Sequence, residues 1–359
     1  MAETKIEWAS HVWNPIRGCS RVSPGCGGGT AGDLKGGCYA EQIAGRFSGP
    51  GQVFEGYAKK TAAGYRWTGK LGLIPKKLAE PLSWRKPCRV FVNSMSDLFH
   101  EELTFEEIAA VVGVIAACPD SIFMSLTKRA KRMREWFEWI AQAADSDPRS
   151  LAAICANAAQ SVAGLDVGAR IDLPAWPLPN WQIGISAEDQ KRWDERVPEL
   201  LRCPAAVRFV SAEPLLGPID IAKLTAPVER FVCQRCGLKT IDLTDTCPQC
   251  GSTIPSWESA DWSPEIDQII IGGESGHGAR PCHVEWIRDL IAQCRATGVK
   301  PFVKQLGAYP VERPTSSVRR GAIPFNTVER GAGLCWRFSD KKGGNMDEWP
   351  EDLRVREQV

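Results

Sequence analysis

Six short apolar runs that end in polar residues constrain the fold of this chain more than any other feature. They are rich in Val, Ile and Phe, and they span residues 89–97, 121–128, 181–188, 207–213, 268–274 and 301–305. Near-continuous apolar runs of this length are typical of strands that are buried on both faces of a parallel sheet. The sequence therefore predicts a parallel sheet that contains these strands.

Helical patterns lie between the apolar runs. Thr104 and Glu107 have the spacing of a capping box at the start of an apolar stretch that runs to Cys118. Further helices are predicted over 128–143, 188–202 and 283–297. Alternating strands and helices indicate an α/β fold with right-handed crossovers. Polar residues at the carboxyl ends of the strands favour a (β/α) barrel, and a doubly wound open sheet is the alternative.

Two insertions and a tail interrupt this repeat. Residues 142–179 contain one predicted helix near 149–163, and residues 226–262 hold four cysteines. We predict a barrel over residues 1–309 and an irregular C-terminal extension over 310–359.

Charge and hydropathy restrict the possible partners. The net charge is +1, which argues against a purely electrostatic nucleic-acid binder but allows a local basic patch. The N-terminus lacks a basic stretch followed by an apolar run, and no window approaches about 18 uninterrupted apolar residues. We therefore expect a cytoplasmic protein with no membrane contact.

Fourteen cysteines are present, and seven of them fall into two clusters. In a reducing cytosol, clustered cysteines indicate metal ligands rather than disulfides. The first cluster is Cys19, Cys26 and Cys38, with the spacing C-x6-C-x11-C. Three thiolates can hold three irons of a cubane and leave the fourth iron open to another ligand. The alternatives are three unrelated buried thiols, or a zinc site completed by His11 or a distant cysteine.

The second cluster has the spacing C-x2-C-x10-C-x2-C and consists of Cys233, Cys236, Cys247 and Cys250. Two such knuckles close a tetrahedral site, so the spacing predicts a zinc ribbon or a rubredoxin-like iron site. The metal could staple an insertion that is too small to fold alone, or it could help the insertion to grip nucleic acid or protein.

Polar residues at the predicted strand ends form the candidate binding site. Lys128 and Arg129 begin a predicted helix, where the macrodipole disfavours cations, so either a bound anion or a solvated face would explain them. Gly272 and Gly273 would allow a ligand to approach the backbone closely. Residues that could meet ribose, adenine or substrate are Ser186, Glu188, Glu213 and Glu274.

Several motifs resemble those of a known family. The motifs around the first cluster are Trp13-Asn-Pro15, Gly18-Cys19, Val22-Ser-Pro-Gly-Cys26 and Cys38-Tyr-Ala-Glu41. Others occur at residues 93–97, 126–129, 184–188, 211–214 and 272–275, so the resemblance covers most of residues 4–310. They are similar to a phage- and bacteria-associated three-cysteine family that is described as radical-SAM-like and of unknown function, and that is distantly similar to spore photoproduct lyase. Members of that family usually place two residues between the second and third cysteines, whereas this chain has eleven.

The resemblance implies a partial (β/α)6 TIM-like barrel that binds a 4Fe–4S cluster, at the first cysteine cluster, and S-adenosylmethionine (SAM). One electron, from a donor such as flavodoxin, would cleave SAM and yield a 5′-deoxyadenosyl radical that abstracts hydrogen from a substrate. By order along the chain, Ser94 and Asp97 occupy the place where radical SAM proteins hold the SAM amino group. Lys128 and Arg129 would meet the SAM carboxylate.

The reaction would be that of an isomerase, lyase or transferase, and the expected substrate is a nucleobase, either unmodified or modified, in phage-type DNA. Residues 128–134 supply five cations near the expected site, and the zinc ribbon could add a second grip on the polymer. The alternatives are a radical SAM enzyme that acts on a peptide or small metabolite, a non-catalytic metal-stabilised nucleic-acid-binding protein, and a hydrolase or lyase that uses zinc at the first cluster.

Overall fold

The computed structural model describes residues 2–4, 6–27, 38–62, 64–144, 148–171, 176–221, 230–233, 235, 239–240, 247, 250–252, 257–260, 266–276, 278–312, 327–330 and 333–359. An eight-stranded sheet lies at its centre. The strands are β1 (Ala2–Glu3), β2 (His11–Trp13), β3 (Arg89–Val92), β4 (Ile122–Thr127), β5 (Trp181–Ser186), β6 (Val207–Ala212), β7 (Gln268–Gly272) and β8 (Lys300–Gln305).

The order of the strands in space is the same as their order along the chain. β1 pairs antiparallel with β2, and the seven strands from β2 to β8 run parallel. A doubly wound sheet reverses its strand order at a switch point, and this sheet does not. The parallel strands instead curl into a half-barrel, which confirms the prediction of a partial TIM-like α/β barrel.

The strand β2 is absent from the sequence-based prediction. Its three residues pair in parallel with β3, with His11 opposite Val90 and Trp13 opposite Val92. A run this short shows no apolar pattern that separates it from a loop. The half-barrel therefore has seven parallel strands rather than the six that were predicted.

Seven helices of the described part connect these strands. They are α1 (Tyr39–Arg46), α2 (Pro75–Leu78), α3 (Phe105–Ala116), α4 (Ala130–Ala143), α5 (Pro148–Ala163), α6 (Gln190–Leu201) and α7 (Val284–Thr297). The capping box is confirmed at α3, where the Thr104 hydroxyl accepts from the Glu107 N–H at 3.1 Å. Lys128 and Arg129 precede α4 instead of beginning it. Asp189 caps α6 by accepting from the Arg192 N–H at 2.9 Å, so that helix starts after Glu188.

Alternate residues of the strands build two separate hydrophobic cores. Phe123, Val210 and Val303 belong to the larger core, which also contains apolar residues of α3, α4, α6 and α7. Their neighbours in sequence, including Phe209 and Phe302, pack with Trp8 in the smaller core. Because side chains alternate between the faces of a strand, the smaller core lies on the concave face of the half-barrel, away from the helices.

Short strands surround the half-barrel. Ala58–Thr61 and Gly64–Trp67 form a hairpin, and Ile16–Arg17 pairs with Gly72–Leu73. Beyond residue 309, where an irregular path was predicted, Pro310–Glu312, Thr327–Arg330 and Gly333–Trp336 join Cys282–His283 in a four-stranded sheet. In the second insertion, Arg230–Cys233 lies between Lys239–Thr240 and Trp257–Ala260. Within the described residues, no helix is both long and apolar enough to cross a membrane.

Candidate functional site

A cavity of about 490 Å³ opens where the parallel strands end. This volume is in the range of ordinary small-molecule sites. The cavity brings together most of the candidate residues that the sequence indicated: Cys19, Cys26, Cys38, Ser94, Asp97, Lys128, Arg129, Ser186, Glu213 and Glu274. Glu188 and Gly273 are outside its lining.

The three cysteines of the first cluster share the wall of this cavity. Burial and the neighbouring Asp97 carboxylate raise the pKa of the Cys19 thiol to about 12. Negative charge on Cys38 and Cys26 raises it further. Three thiolates gathered here would therefore repel one another unless a positively charged group stood between them. Among the described lining residues there is no fourth cysteine and no histidine, so the donor set fits a metal group that keeps one coordination position open.

Cys38 stands immediately before the first turn of α1. Burial raises the pKa of its thiol, and the backbone N–H groups of Glu41 and Ala40 oppose that shift. A thiolate at a helix N-terminus is favoured by these free N–H groups and by the helix dipole. The start of α1 therefore favours the thiolate of Cys38, although burial outweighs this effect and leaves the pKa raised.

The loop that carries Cys26 is hydrogen-bonded to a buried carboxylate. Glu188, just after β5, accepts from the Gly25 N–H at 2.9 Å, and its side chain is fully buried. Arg196 of α6 lies 3.0 Å from the other oxygen of this carboxylate. A Cβ on Gly25 would lie 2.9 Å from the Glu188 carboxyl carbon, so only glycine permits this approach. Glu188 thus positions the cysteine loop rather than contacting a ligand in the cavity.

A second carboxylate reaches the same loop through an arginine. Glu274, after β7, pairs with Arg280 at 2.9 Å, and Arg280 also donates to the Pro24 carbonyl at 2.9 Å. On the other side, Arg21 binds the buried Glu41 of α1 and donates to the Gly27 carbonyl at 2.5 Å. The segment 21–27 is therefore fixed to the strand ends and to α1 by three ion pairs.

The pair Glu188–Arg196 gives a direct test of this arrangement. Both side chains are at least nine-tenths buried, and removing one partner of such a pair costs about 3–5 kcal/mol. We expect Glu188→Gln to lower the free energy of unfolding by an amount of this order, measured by chemical denaturation. Glu195→Gln on the exposed side of α6 is the matched control and should change it by less than about 0.5 kcal/mol. Equal effects of the two changes would contradict the assigned role.

Asp97 and Arg129 form the most heavily bonded pair beside the cysteines. Asp97 accepts from the Phe99 and Lys128 N–H groups, from the Thr127 hydroxyl at 2.7 Å and from Arg129 at 3.0 Å. These four bonds occupy the lone pairs of one carboxylate. The SAM amino group predicted to bind Asp97 would thus have to compete with partners inside the protein.

Arg129 is likewise engaged by the protein's own groups. Its guanidinium pairs with Glu101 at 2.7 Å, donates to Ser20 at 2.7 Å and lies 4.0 Å from the Cys19 sulfur. Burial opposes its charge, but Asp97, Cys19 and Glu101 outweigh burial and raise its pKa. The anion that the sequence predicted beside Arg129 is therefore supplied by two carboxylates of the chain.

Lys128 lines the cavity and, unlike Arg129, has no ion pair among the described residues. Its ammonium donates to the Ser186 hydroxyl at 3.1 Å, and no carboxylate of the described residues lies within 4.0 Å of it. Most of the other cations in the basic stretch 128–134 contact other residues of the chain. Arg132 donates to the Leu103 carbonyl and stacks on Phe105, and Arg134 pairs with two glutamates. Several of these cations are therefore paired within the chain, and the contact of this stretch with nucleic acid stays a prediction.

The remaining candidates have the following places. Ser94 donates to the Asn14 carboxamide at 3.2 Å. Both carboxylate oxygens of Glu213 accept hydrogen bonds from the Lys304 ammonium group, at 2.8 and 2.9 Å. A Cβ on Gly273 would lie 2.2 Å from the Leu306 carbonyl oxygen. The close approach predicted at Gly273 is therefore made by the neighbouring backbone and not by a ligand of the cavity.

Sequence reasoning missed the cations that complete these pairs. Lys304 lies at the end of the last parallel strand, and Arg280, Arg196 and Arg21 bind the carboxylates that hold the loop. Lys304 could have been found from its place at a strand end. The arginines carry no such signal, because each one meets its carboxylate only through the tertiary fold.

The second cysteine cluster is separate from the cavity. The sulfurs of Cys233, Cys247 and Cys250 lie within 4.8 Å of one another, and all three residues are buried. This group could hold a metal ion. Cys236, the fourth predicted ligand, lies outside the described residues.

Comparisons with known proteins identify the family of this chain. A family model described as "Protein of unknown function (DUF5131)" matches residues 3–348, which include the half-barrel and both cysteine clusters. The search of curated proteins gave no match, and the search of solved structures gave none either. The half-barrel is compatible with a radical-SAM-like fold, although the family description does not name one. The chain therefore belongs to the family DUF5131.

Proposed function

We propose that this protein is a radical SAM enzyme. The observation that carries the proposal is that Cys19, Cys26 and Cys38 all line the cavity at the mouth of the half-barrel. The carboxyl end of a parallel barrel is where such folds place their chemistry. Three thiols, with no fourth cysteine or histidine among the described lining residues, distinguish this site from the four-cysteine sequence pattern of the second cluster.

The residues around the cysteines support a 4Fe–4S cluster as the bound group. Arg129 lies beside Cys19 and the start of α1 lies beside Cys38, so both thiolates meet positive charge. When bound, the cluster would supply the electron that cleaves SAM to a 5′-deoxyadenosyl radical. The ion pairs that fix residues 21–27 would keep the ligand loop in place and would limit access of water to the site.

We propose that SAM lies across the open side of this site. Lys128 can neutralise its carboxylate, since the ammonium group contacts only the Ser186 hydroxyl among the described residues. Ser186 lies at the end of β5 and could then meet a ribose hydroxyl. Asp97, whose carboxylate is saturated, would hold Arg129 and the start of α4 in position.

Anaerobic reconstitution with iron and sulfide, followed by a SAM-cleavage assay, tests the proposed function. The reconstituted protein should be brown, and it should form 5′-deoxyadenosine from SAM when it is reduced with dithionite or by a flavodoxin. The matched control is the same protein without iron and sulfide, which should form none. A colourless protein that binds zinc at the first cluster, and that does not cleave SAM, would favour a zinc hydrolase or lyase instead.

We further propose that the second cluster, together with Cys236, binds one zinc ion. The three described sulfurs already lie within 4.8 Å of one another, as a tetrahedral site requires. Cys247→Ser should release about one equivalent of zinc, measured by metal analysis, and should leave the iron content unchanged. Cys118→Ser, at a half-buried thiol outside both clusters, is the matched control and should keep its zinc. Retention of zinc by Cys247→Ser would show that the assignment is wrong.

The proposed substrate is a nucleobase, as the family resemblance implies. One argument for a DNA polymer is weaker, because three of the five cations in 128–134, Arg129, Arg132 and Arg134, bind other residues of the chain. Binding of duplex and single-stranded DNA across a salt series tests the polymer, since phosphate contacts weaken steeply with salt. Undetectable binding at about 50 mM salt would leave a free base or nucleoside, a peptide or another small metabolite as the substrate.

A further inference from the structure

The side-chain amide of Asn93 is buried and has no hydrogen-bond partner among the described residues. The residue follows β3 and is 2% exposed. In the described part of the chain neither the side-chain nitrogen nor the side-chain oxygen is paired, although the backbone N–H donates to the Trp13 carbonyl at 2.8 Å. A buried amide normally binds a protein group or water, because leaving it unpaired costs free energy.

The backbone of Asn93 is also unusual. Its φ angle of 59° is the only positive value at a non-glycine residue in the described part of the chain. Asn tolerates this conformation better than most residues do, yet it still carries strain. Unfavourable backbone angles of this kind cluster at ligand sites, where the surrounding structure maintains them. Here the strain and the unpaired amide occur at the same residue.

Asn93 lies in the wall of the cavity beside an aromatic surface. Phe91 precedes it by two residues, and Trp8 packs on Phe91 with ring centroids 4.6 Å apart. All three residues line the cavity, together with Ser211 and Lys304. Aromatic side chains favour stacking with planar rings, and an amide offers a donor next to an acceptor at the edge of such a ring.

We propose that Asn93 hydrogen-bonds the edge of a purine or pyrimidine ring in this cavity, its amide nitrogen donating and its amide oxygen accepting. Asparagine side chains make such paired contacts with adenine in protein–DNA complexes. The ring could be the adenine of SAM or the base of the substrate, and both present a donor beside an acceptor. The inference deepens the proposed function and rests on it for the choice of SAM as one source.

Two substitutions separate recognition by the amide from a purely conformational role. Asn93→Gly keeps the positive φ and relieves its strain while it removes the amide. Asn93→Asp keeps the shape and replaces the donor by an acceptor. Asn345→Gly, at an exposed cap outside the cavity lining, is the matched control for an Asn to Gly change. Thermal unfolding of each variant shows whether it is folded.

The measurement is calorimetric titration of the reconstituted protein with SAM, 5′-deoxyadenosine, thymidine and 2′-deoxyguanosine. We expect both Asn93 variants to weaken at least one of these ligands about 10- to 100-fold, as expected for loss of a paired contact. Weakening of SAM and 5′-deoxyadenosine together identifies the adenine of SAM as the ring. Weakening of thymidine or 2′-deoxyguanosine, with SAM unchanged, identifies a substrate base.

Unchanged affinities of Asn93→Gly for all four ligands would overturn the inference, because the residue would then serve the turn alone. The absence of any nucleoside binding by the wild-type protein would overturn it as well. Failure of the proposed function has a different signature. If the protein never cleaves SAM and Asn93→Gly still loses affinity for a nucleoside, the radical SAM proposal fails and the inference about Asn93 stands.

Discussion

Replacing Cys19, Cys26 and Cys38 together by alanine is expected to remove about four irons per chain and to abolish SAM cleavage. The physical reason is that the three thiols all line the cavity and, within the described lining, have no fourth cysteine or histidine to substitute for them. Iron and sulfide analysis after anaerobic reconstitution measures the first effect. Chromatographic detection of 5′-deoxyadenosine measures the second.

The second cysteine cluster provides an internal control for this experiment. Zinc bound there should survive the triple substitution, since Cys233, Cys247 and Cys250 form a group of their own that is outside the cavity lining. If the triple variant keeps its zinc and loses its iron, its second cluster is still folded and only the metal site of the first cluster has been removed. Retention of about four irons by that variant would refute the ligand assignment.

Breaking the pair Asp97–Arg129 is expected to lower the stability of the protein as strongly as breaking the pair Glu188–Arg196. Both side chains are more than nine-tenths buried and lie 3.0 Å apart, and removal of one buried partner costs about 3–5 kcal/mol. Arg129→Met should therefore lower the free energy of unfolding by about this amount, as measured by denaturant titration. It leaves Asp97 charged and buried without its guanidinium partner.

Lys131→Met is the matched control for Arg129→Met. Lys131 is exposed and pairs with Glu135 at 3.9 Å, so its loss should change the free energy of unfolding by less than about 1 kcal/mol. Asp97→Asn combined with Arg129→Met removes both charges, and the double variant should lose less than the sum of the two single losses. Additive losses would mean that the two residues act independently, against the role assigned to them here.

The strands of the half-barrel could largely be predicted from sequence because their burial on two faces leaves a direct signal. Ile269, Ile270 and Ile271 pack alternately into the two cores, so the whole run must be apolar. The strand His11–Trp13 left no such signal, since three residues at the sheet margin show no period. The start of α6 was misplaced because Glu188 resembles a helical residue in sequence, whereas Asp189 provides the cap.

The candidate site could be predicted as a set of residues but not as a set of roles. Polar strand ends of a parallel sheet must gather at one edge, which is why Ser94, Asp97 and Glu213 line the same cavity. What each carboxylate binds depends on distant segments. Glu188 meets Gly25, from a loop 163 positions away in sequence, and no local pattern announces that contact.

The contacts between the segment 21–27 and the strand ends also link metal occupancy of the first cluster to the stability of the fold. Glu188 follows β5 and Glu274 follows β7, so the loop bridges two strands that are separated by β6. A group that binds Cys26 of this loop in the folded chain, and not in the unfolded chain, shifts the folding equilibrium by mass action. Through the bridge, that shift acts on the half-barrel as a whole. A rise in the thermal midpoint on loading with iron and sulfide would therefore report occupancy of the site before any substrate is known.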